Sequence, residues 1–414
     1  MDLTITNAMA TSPPITILIV DDSKSYRHLL ANILNKWGFS IMEAQDGVHA
    51  LALLEVNTIS VVISDWEMPV MDGVQLCRQI RQRDFGHYIY LILVTARQAI
   101  DDLVQGLESG ADDFLSKPVN QSQLRARLHA AKRILTLENT LAVRNERLTN
   151  AYQQIEADLQ AAARLQRSVL PANTLSFNGY QAEWMFLPSA FVSGDLLNYF
   201  PLDDRHFAFY CIDVAGHGVS AAMLSLAVAR EFLNGRITER LLIEDGKVMP
   251  SHHVVSALNQ RFCLDNEDVA SYYTLIYGVI DTHTGHGELC QAGHPTPFII
   301  RKQGEWESVG AGGVPVGLFP QSEYQSCVFS LVPGDRLYLY SDGISECESV
   351  DGELYGEERL QALLSASRSL PKTAVFECVE RALINWCQPY TQPATGNGRL
   401  FNDDISLLAI ERTD

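Results

Sequence analysis

Five short apolar runs in the first 120 residues alternate with helical patterns, and a polar residue stands where each of four runs ends. The first run, ITILIV, ends on Asp21 and Asp22, and later runs lead into Asp65, Thr95 and Lys117. Strands that alternate with helices predict a doubly wound sheet of five parallel strands. Because ligands of such sheets bind beyond the carboxyl ends of the strands, we expect these side chains to form one site.

The three carboxylates of this predicted site would repel one another unless a cation lay between them. Oxygen ligands of this kind suit Mg²⁺, which would also shield a phosphoryl group that approaches Asp65. Thr95 can donate a hydrogen bond to a phosphoryl oxygen, and the Lys117 ammonium can pair with another. Strand ends are often polar only because they emerge into solvent, but that reading does not account for the whole ordered set.

Residues 15–120 resemble the receiver domain of two-component response regulators. The matching residues are Asp21-Asp22, Asp65 within SDWEMPVMDG, Thr95 followed by Ala96, and Lys117-Pro118. The resemblance implies that Asp65 is the phosphoacceptor for a sensor histidine kinase or a phosphotransfer protein, and that the peptide before Pro118 is cis. It implies a Mg²⁺ site formed by Asp21, Asp22, Asp65 and the carbonyl of Glu67. It assigns phosphoryl binding and switching to Thr95, Phe114 and Lys117.

The composition changes after the receiver-like segment. Residues 121–170 contain no Gly and no Pro and are rich in Ala, Leu, Gln, Arg and Glu, which predicts a long helix. A three-four spacing gives this helix one apolar seam, which Asn145 and Gln166 interrupt. The seam consists of Leu141, Leu148, Tyr152, Ile155, Leu159, Ala162 and Val169. We expect a coiled-coil homodimer through this seam; the alternative is a helix that packs on its own domains.

The chain after Pro171 is rich in strand patterns separated by segments that are often too short for parallel crossovers, so we expect antiparallel sheets. Residues 235–253 and 389–402 are polar or contain Gly and Pro, which predicts surface loops. The predicted domains are a receiver at 14–128, a helical coiled-coil linker at 129–170 and a C-terminal domain at 171–414.

A second set of acidic residues stands beside glycines at strand ends in this C-terminal domain. The set consists of Gly194-Asp195, Asp213 in DVAGHG, Asp342-Gly343 and Asp403-Asp404. Glycine lets the backbone approach a ligand closely, and carboxylates are ligands of Mg²⁺ or Mn²⁺. Two such ions that share a carboxylate can lower the pKa of a bridging water and bind a phosphoryl group. Because Asp-Gly is also a common turn pair, only the ordered set of four predicts a metal site.

The C-terminal domain resembles the bacterial branch of the PPM-type metal-dependent Ser/Thr phosphatases, which includes sporulation protein E. The match runs from LQRSVLP to DDISLLAI, with VSGDLLNYF, IDVAGHGVSAAM, QAGHPTPFII and YSDGISECESVDGELYGEERL between them. The resemblance implies an αββα sandwich of two antiparallel sheets. It implies two Mn²⁺ or Mg²⁺ ions bridged by Asp213, direct attack by metal-activated water, and no phosphoenzyme. It assigns metal binding to Asp195, Asp213, the Val214 carbonyl, Asp342 and Asp403.

Auxiliary roles are implied for four further residues. Asp404, beside the last ligand, is a candidate for orienting water. His217, between Gly216 and Gly218, is a candidate acid for the leaving serine oxygen, or else only a hydrogen-bonded turn residue. Gly343 follows the ligand Asp342 in the matching motif. His294 in AGHP is a landmark with an expected structural role.

The chain departs from the family pattern directly after Asp195. The family usually has aromatic residues and an Asp where this chain has Leu196, Leu197 and Asn198. Loss of that carboxylate would weaken a contact outside the ligand set, but the core acidic set is intact, so we expect an active enzyme. The alternative is a phosphatase-like adaptor that has lost catalysis and binds a regulator of a sigma factor.

Composition bears on the partners. The chain has 31 Lys plus Arg against 50 Asp plus Glu, a formal charge of -19, which argues against nucleic acid as a partner. Part of the acidic excess would hold cations, and the rest is a solvated surface. No apolar run approaches the length of about 20 residues that a membrane span needs. Eight cysteines without a CxxC pair favour a reducing compartment, so we expect a cytoplasmic protein.

The sequence therefore predicts a response regulator whose phosphorylation at Asp65 controls a protein serine/threonine phosphatase. The substrate that the family resemblance implies is a phosphorylated anti-sigma-factor antagonist in a partner-switching pathway. We expect phosphorylation to activate the enzyme. The kinase, the preferred metal and the sign of control are not determined by the sequence.

Overall fold

The computed structural model describes residues 15–96, 104, 106–233, 241–265, 271–387 and 401–413. Two compact units divide the chain between Gln153 and Gln154. Each unit has its own hydrophobic core. Within the described residues, no helix combines the length and the apolarity that crossing a membrane requires.

The first unit is built on a five-stranded parallel sheet with the strand order β2-β1-β3-β4-β5. This sheet confirms the doubly wound fold that the alternating strand and helix patterns predict. Its core strands are buried on both faces, so they read as continuous apolar runs. The elements are β1 Thr16–Val20, α1 Lys24–Lys36, β2 Ser40–Ala44, α2 Gly47–Val56, β3 Val61–Asp65, α3 Gly73–Arg81, β4 Tyr90–Thr95 and β5 Asp113–Ser116.

A single helix, α4, extends from Gln121 to Arg167, which confirms the predicted long helix. Its first turns pack on the core of the first unit through Leu124, Leu128, Ala131 and Leu135. The helical segment that belongs to this core thus extends seven residues beyond the predicted boundary at 128. Farther along, the seam side chains Leu141, Leu148, Tyr152 and Ile155 are each more than half exposed.

The second unit contains two antiparallel sheets. One has the order β16-β13-β12-β9-β8 and the other the order β15-β14-β17-β18-β7-β6. A small hairpin pairs β10 with β11. The strands are β6 Thr174–Phe177, β7 Tyr180–Leu187, β8 Leu196–Pro201, β9 His206–Val214, β10 Ile243–Glu244, β11 Lys247–Val248, β12 Tyr273–Asp281, β13 His286–Ala292, β14 Phe298–Ile300, β15 Trp306–Ser308, β16 Ser326–Ser330, β17 Arg336–Tyr340 and β18 Ile405–Arg412.

Helices cover the outer faces of both sheets, so the unit is the αββα sandwich that the resemblance implies. Strand β17 shows the layering, because Leu337 and Leu339 join the core between the sheets while Tyr338 and Tyr340 join the core under the outer helices. Alternate side chains of a strand point to opposite faces, which explains why both sets are apolar. The helices are α5 Val219–Leu233, α6 Ser251–Asp265, α7 Asp342–Ser345, α8 Glu357–Ala366 and α9 Lys372–Cys387.

The predicted loop at residues 235–253 is wrong over its described part. Leu242 is fully buried, the hairpin of β10 and β11 occupies residues 243–248, and α6 begins at Ser251. The Asp245-Gly246 turn in the middle made this segment look like a loop, although it forms a tight hairpin. Residues 235–240 and 389–400 of the two predicted loops lie outside the described residues.

Candidate functional site

The polar residues predicted at the strand ends of the first unit meet at one edge of the sheet. Asp21 and Asp22 follow β1, Asp65 is the last residue of β3, and Thr95 is the last residue of β4. One carboxylate oxygen from each of Asp21, Asp22 and Asp65 lies within 4.8 Å of the other two. Parallel strands place their carboxyl ends at a common edge, so residues distant in the chain become neighbours.

Lys117 neutralises much of this acidic cluster. Its Nζ atom lies 2.6 Å from Oδ2 of Asp65 and 3.0 Å from Oδ2 of Asp21. Burial raises the pKa of the Asp65 carboxyl, against the hydrogen bond from Lys117. Burial acts to lower the pKa of Lys117, but its bonds to Asp65 and Asp21 outweigh burial and raise that pKa. The site therefore contains its own cation.

The loop after β3 turns back on Asp65 and presents it. A Cβ atom on Gly73 would lie 2.2 Å from the Asp65 carbonyl oxygen, so only glycine permits this close approach. The Trp66 amide donates to Oδ1 of Asp65 at 2.8 Å, and Glu67 is exposed beside it. The Lys117-Pro118 peptide is cis, as the resemblance implies. Phe114 is half-buried against the core under the sheet.

In the second unit, each sheet contributes two acidic residues to a second site. Asp195 directly precedes β8 and Asp213 lies near the end of β9, two strands that pair through Leu196 and Ile212. In the other sheet, Asp342 begins α7 two residues after the end of β17, while Asp403 lies two residues before the start of β18, the neighbour of β17. Within the described residues, no second trio of His, Cys, Asp or Glu side chains meets the 4.8 Å limit, so this site is wider than the first.

Close backbone packing at the glycines brings the acidic residues of each sheet together. A Cβ atom on Gly343 would lie 2.1 Å from the carbonyl oxygen of Asp404, and one on Gly194 would lie 3.1 Å from that of Val214. Ser341 reinforces the first contact, because its hydroxyl donates to the Asp404 carbonyl at 3.1 Å. Gly343 is therefore required by space rather than by a turn conformation, while a Cβ atom at Gly194 would make a tight contact.

Asp404 connects the two sheets. Its Oδ1 accepts a hydrogen bond from the Ser189 amide at 2.7 Å, and its Oδ2 accepts one from the Gly194 amide at 2.8 Å. Both carboxylate oxygens of this buried residue thus hold the loop that carries Asp195. The candidate role in orienting water stays a prediction; the two hydrogen bonds add a positioning contact between the segment before β18 and this loop.

The carboxylates of the second site strongly perturb one another. Burial, followed by the charges of Asp342 and Asp403, raises the pKa of Asp213 to about 7. Burial and then the Asp403 charge raise the pKa of Asp342 to about 6. Burial and the Asp213 charge raise the pKa of Asp195 well above its usual value, and its Oδ2 atom is buried without a hydrogen-bond partner. Several ionised carboxylates cannot coexist there without added positive charge.

The remaining predicted residues lie around these acids. His217 is exposed within a turn in which Gly216 and Gly218 both have positive φ. Burial raises the pKa of Asp403, and the nearby His217 acts in the opposite direction. Val214 is buried at the end of β9. His294 lies in the interior, with Nδ1 2.7 Å from the Thr274 hydroxyl, and burial lowers its pKa to about 3. This neutral, enclosed histidine fits a structural role.

Three polar residues near the second site went unassigned in the sequence. Ser341 and Ser406 hydrogen-bond to Asp195 and act to lower its pKa, and Gln166 of α4 bonds to the Asp195 loop. Both serines stand inside matching motifs, but the motifs assign them no contact, because their role arises only where the segments beside β17 and β18 meet. Gln166 had a signal, since it interrupts the apolar seam of the helix.

Both acidic clusters fit divalent cations by their donor sets. The compact oxygen trio of Asp21, Asp22 and Asp65 suits one hard cation. The wider set, with mutually raised pKa values and the unpaired Oδ2 of Asp195, suits two cations, which in such sites lie about 3.5–4 Å apart. The residues that could hold them are Asp195, Asp213, Asp342 and Asp403.

Family models match both units. The model described as Stage II sporulation protein E (SpoIIE) matches residues 203–413, just over half of the chain, and the model described as Response regulator receiver domain matches residues 17–129. The chain belongs to the SpoIIE family and carries a receiver domain in front of its PP2C-type phosphatase domain.

Individual relatives match this chain over different lengths. Protein IcfG of Synechocystis sp. is 25% identical over 399 residues, which cover 91% of this chain and 58% of IcfG. Regulator of RpoS of Escherichia coli K12 is 28% identical over 304 residues, or 73% of this chain and 87% of that protein. Response regulator MprA of Mycobacterium sp. is 41% identical over 120 residues, so this chain spans only 51–58% of the length of MprA and IcfG.

A solved structure supports the fold of the second unit. The SiaA-PP2C domain of Pseudomonas aeruginosa aligns with a TM-score of 0.52 and 20% sequence identity, over 64% of this chain and 99% of that domain. The likeness establishes the PP2C-type fold of the two-sheet unit.

Proposed function

We propose that the chain is a response regulator in which phosphorylation of Asp65 controls a metal-dependent protein serine/threonine phosphatase. The observation that carries the proposal is the second acidic site. Asp195, Asp213, Asp342 and Asp403 are all retained, and two different sheets bring them together with mutually raised pKa values. A surface that only docked a partner would gain nothing from this concentration of negative charge.

In this proposal, Asp213, which interacts with the acids of both sheets, would help to hold both cations. Asp342 and Asp403 would contribute from one sheet, and Asp195 and the Val214 carbonyl would contribute from the other. Mn²⁺ or Mg²⁺ bound there would supply Lewis acidity for the attack of water on a phosphoryl group. Asp404 keeps the Asp195 loop in place through its two amide contacts. His217, exposed beside Asp403, is the candidate proton donor to the leaving serine oxygen.

Control begins at the first acidic site. Asp65 accepts the phosphoryl group from a histidine kinase or a phosphotransfer protein, with Mg²⁺ at Asp21, Asp22, Asp65 and the Glu67 carbonyl. Thr95 and Lys117 then bind the phosphoryl oxygens, and Phe114 turns inward. Lys117 already touches Asp65, so it needs only a small adjustment to pair with a phosphoryl group there.

The helix α4 is the proposed link and dimer interface. Leu141, Leu148, Tyr152 and Ile155 expose more than half of their surface along one seam, where packing on the chain's own domains would bury them. A second copy of the same seam would cover these side chains, as in a coiled coil. We therefore retain the homodimer, with a phosphorylated anti-sigma-factor antagonist as the substrate.

A phosphatase-like adaptor is the second candidate. The observation that favours it is Asn198, which replaces the family's usual carboxylate and is buried with its Oδ1 accepting from the Tyr199 amide at 2.8 Å. This hydrogen bond gives the buried Asn198 side chain a partner within β8, so the strand accepts Asn198 in place of the carboxylate. The four retained acids weigh against loss of catalysis.

Phosphate release from a phosphoserine-bearing anti-sigma-factor antagonist tests the two candidates. The assay compares Mn²⁺, Mg²⁺ and a chelator, with and without a phosphoryl mimic at Asp65, and uses Asp213→Asn as the blank. Asp245→Asn is the matched control, since Asp245 is exposed in a turn with positive φ that asparagine tolerates. Turnover that needs the metal and Asp213 supports the enzyme. Tight binding of the antagonist without turnover under any condition supports the adaptor.

A further inference from the structure

One polar side chain in the last turn of α4 is almost completely buried. Gln166 is 2% exposed, while its neighbour Leu165 is 69% exposed. The Gln166 Nε2 atom donates to the carbonyl oxygen of Ser193 at 2.6 Å, and the Ser193 amide donates to Oε1 of Gln166 at 3.0 Å. The carboxamide thus bonds to both the amide and the carbonyl of one residue, as an opposite residue does on a neighbouring antiparallel strand.

Ser193 lies two residues before Asp195, in the segment that Asp404 also holds. The Asp195 amide donates to the Ser193 hydroxyl at 3.0 Å, and the Gly194 amide donates to Asp404. The backbone that presents Asp195 is therefore held from two directions, by β18 through Asp404 and by α4 through Gln166. Among the described contacts of this loop, Gln166 supplies the link to the helix.

The chemistry of this contact requires glutamine. One side chain must supply a donor to the Ser193 carbonyl and an acceptor to the Ser193 amide, which neither an apolar side chain nor an ionised carboxylate provides. If the partner were removed, the buried Ser193 amide and carbonyl would both lose their hydrogen bonds, which destabilises this arrangement of the loop. The adjacent seam positions Ala162 and Val169 are apolar, so packing alone would favour an apolar residue at 166.

We propose that Gln166 is a positioning residue that couples the orientation of α4 to the placement of the Asp195 carboxylate. The same helix begins at Gln121, directly after the receiver strands, so a rotation or shift of α4 would pull on Ser193. This inference rests on the proposed phosphatase function, because it assigns Asp195 to the metal site. It names the atoms through which a change in the helix reaches that site.

The test compares Gln166→Met, which keeps the length of the side chain, with Gln160→Met at an exposed position of the same helix. The full-length protein is used for Mn²⁺ titration calorimetry, steady-state kinetics and amide hydrogen exchange. We expect Gln166→Met to weaken Mn²⁺ binding roughly 10- to 100-fold, as outer contacts of metal ligands typically do. Exchange should increase in the peptide that contains residues 189–195, and kcat should fall while the KM for the phosphoprotein stays constant.

Two further measurements separate positioning from general stability. Gln166→Glu keeps an acceptor for the Ser193 amide. It should therefore bind Mn²⁺ with an affinity between those of the wild type and Gln166→Met. If the Met variant does not fold, the Glu variant is used for the test instead. The response of turnover to a phosphoryl mimic at Asp65 should be lost in Gln166→Met and kept in Gln160→Met.

Wild-type Mn²⁺ affinity and wild-type exchange at residues 189–195 in Gln166→Met would overturn the inference. The inference would also be overturned if exchange increased throughout the second unit and both Gln→Met variants lost Mn²⁺ affinity equally. If the wild-type protein showed no turnover, the proposed function would fail, but the binding and exchange data would still decide whether Gln166 positions the loop.

Discussion

The two acidic sites of this chain balance their charge in opposite ways. At the first site, Lys117 lies 2.6 Å from Asp65 and 3.0 Å from Asp21. At the second site, no ion pair with Lys or Arg is found for Asp195, Asp213, Asp342 or Asp403 within the part of the chain that the structure describes. The charge of the second site therefore has to be compensated by protons or by bound cations.

This difference matches what each site is proposed to do. An acceptor that is phosphorylated only at times must remain folded and ionised between events, and an internal lysine achieves this. A site that binds two cations gains from having no competing cation, although the metal-free form is then destabilised by repulsion. The second site should consequently depend on metal far more than the first.

The largest expected effect is on catalysis by Asp213→Asn. Removing the carboxylate shared by both cations should lower kcat/KM by at least about 1,000-fold, because metal sites contribute several kcal/mol to the transition state. The same variant should be more stable than the wild type in chelator, since one repelling charge is gone. Phosphate release and urea unfolding measure the two effects, with Asp245→Asn unchanged in both. If Asp213→Asn lost both activity and metal-free stability, repulsion among the carboxylates would not be what destabilises the metal-free second site.

The next effect is the pH dependence of stability without metal. The folded-state pKa of Asp213 is raised to about 7 and that of Asp342 to about 6, so the folded state binds protons that the unfolded state releases. Stability is then fully present below about pH 4 and decreases as the pH rises through about 7, with a loss of several kcal/mol over that range. Urea titrations in chelator between pH 5 and 8 measure it.

Two controls sharpen the pH experiment. Saturating Mn²⁺ should remove the decrease, because the cations stabilise the ionised carboxylates. Asp213→Asn should flatten the profile in chelator. A wild-type profile that rises between pH 5 and 8 in chelator would show that repulsion among these acids does not dominate.

A smaller effect is expected when the first site is made to resemble the second. Lys117→Met leaves the charges of Asp21 and Asp65 uncompensated, so Mg²⁺ should bind this site roughly 5- to 10-fold more tightly. Tryptophan fluorescence can follow the titration in an Asp213→Asn background, because Trp66 adjoins Asp65. Lys36→Met, at an exposed position, is the matched control. Unchanged or weaker Mg²⁺ binding in Lys117→Met would argue against the role given to the lysine.

The smallest effect on basal activity is expected in the linker. Leu148→Lys combined with Ile155→Lys should yield a monomer with unchanged basal turnover and no response to a phosphoryl mimic at Asp65. Sedimentation and phosphate release measure the two properties. Asn150→Lys with Gln153→Lys adds the same charge on the opposite side of α4 and should remain dimeric and responsive. A monomeric seam variant that still responds would separate control from dimerisation.

Much of the first unit could be predicted because its information is local. Parallel β strands buried on both faces appear as apolar runs, and the residues at their ends fall at one edge for any sequence of this pattern. The order of the acids in the second unit was equally visible beside Gly194, Gly216 and Gly343. The segment at 243–248 was misread because a tight hairpin and a loop share the same turn residues.

Contacts between distant segments could not be read in this way. Asp404 looked like a second acid beside a ligand, yet its oxygens hold Ser189 and Gly194, more than 200 residues earlier. Leu135 looked like part of a linker, yet it packs on the receiver core. A side chain's partner depends on which sheet faces it, and no periodicity within one segment encodes that.

The sequence by itself determined a first unit in which strands alternate with helices, a second unit rich in strands, a long helix between them and two ordered sets of acidic residues. These features follow from hydrophobic periodicity, turn residues and the absence of helix breakers, all of which act over a few residues. Only the tertiary structure decided that Lys117 pairs with two carboxylates of the first set, that the second set has no such partner within the described residues, and that Gln166 holds the Asp195 loop. Charge balance and hydrogen-bond pairing depend on distance in space, and folding alone sets those distances.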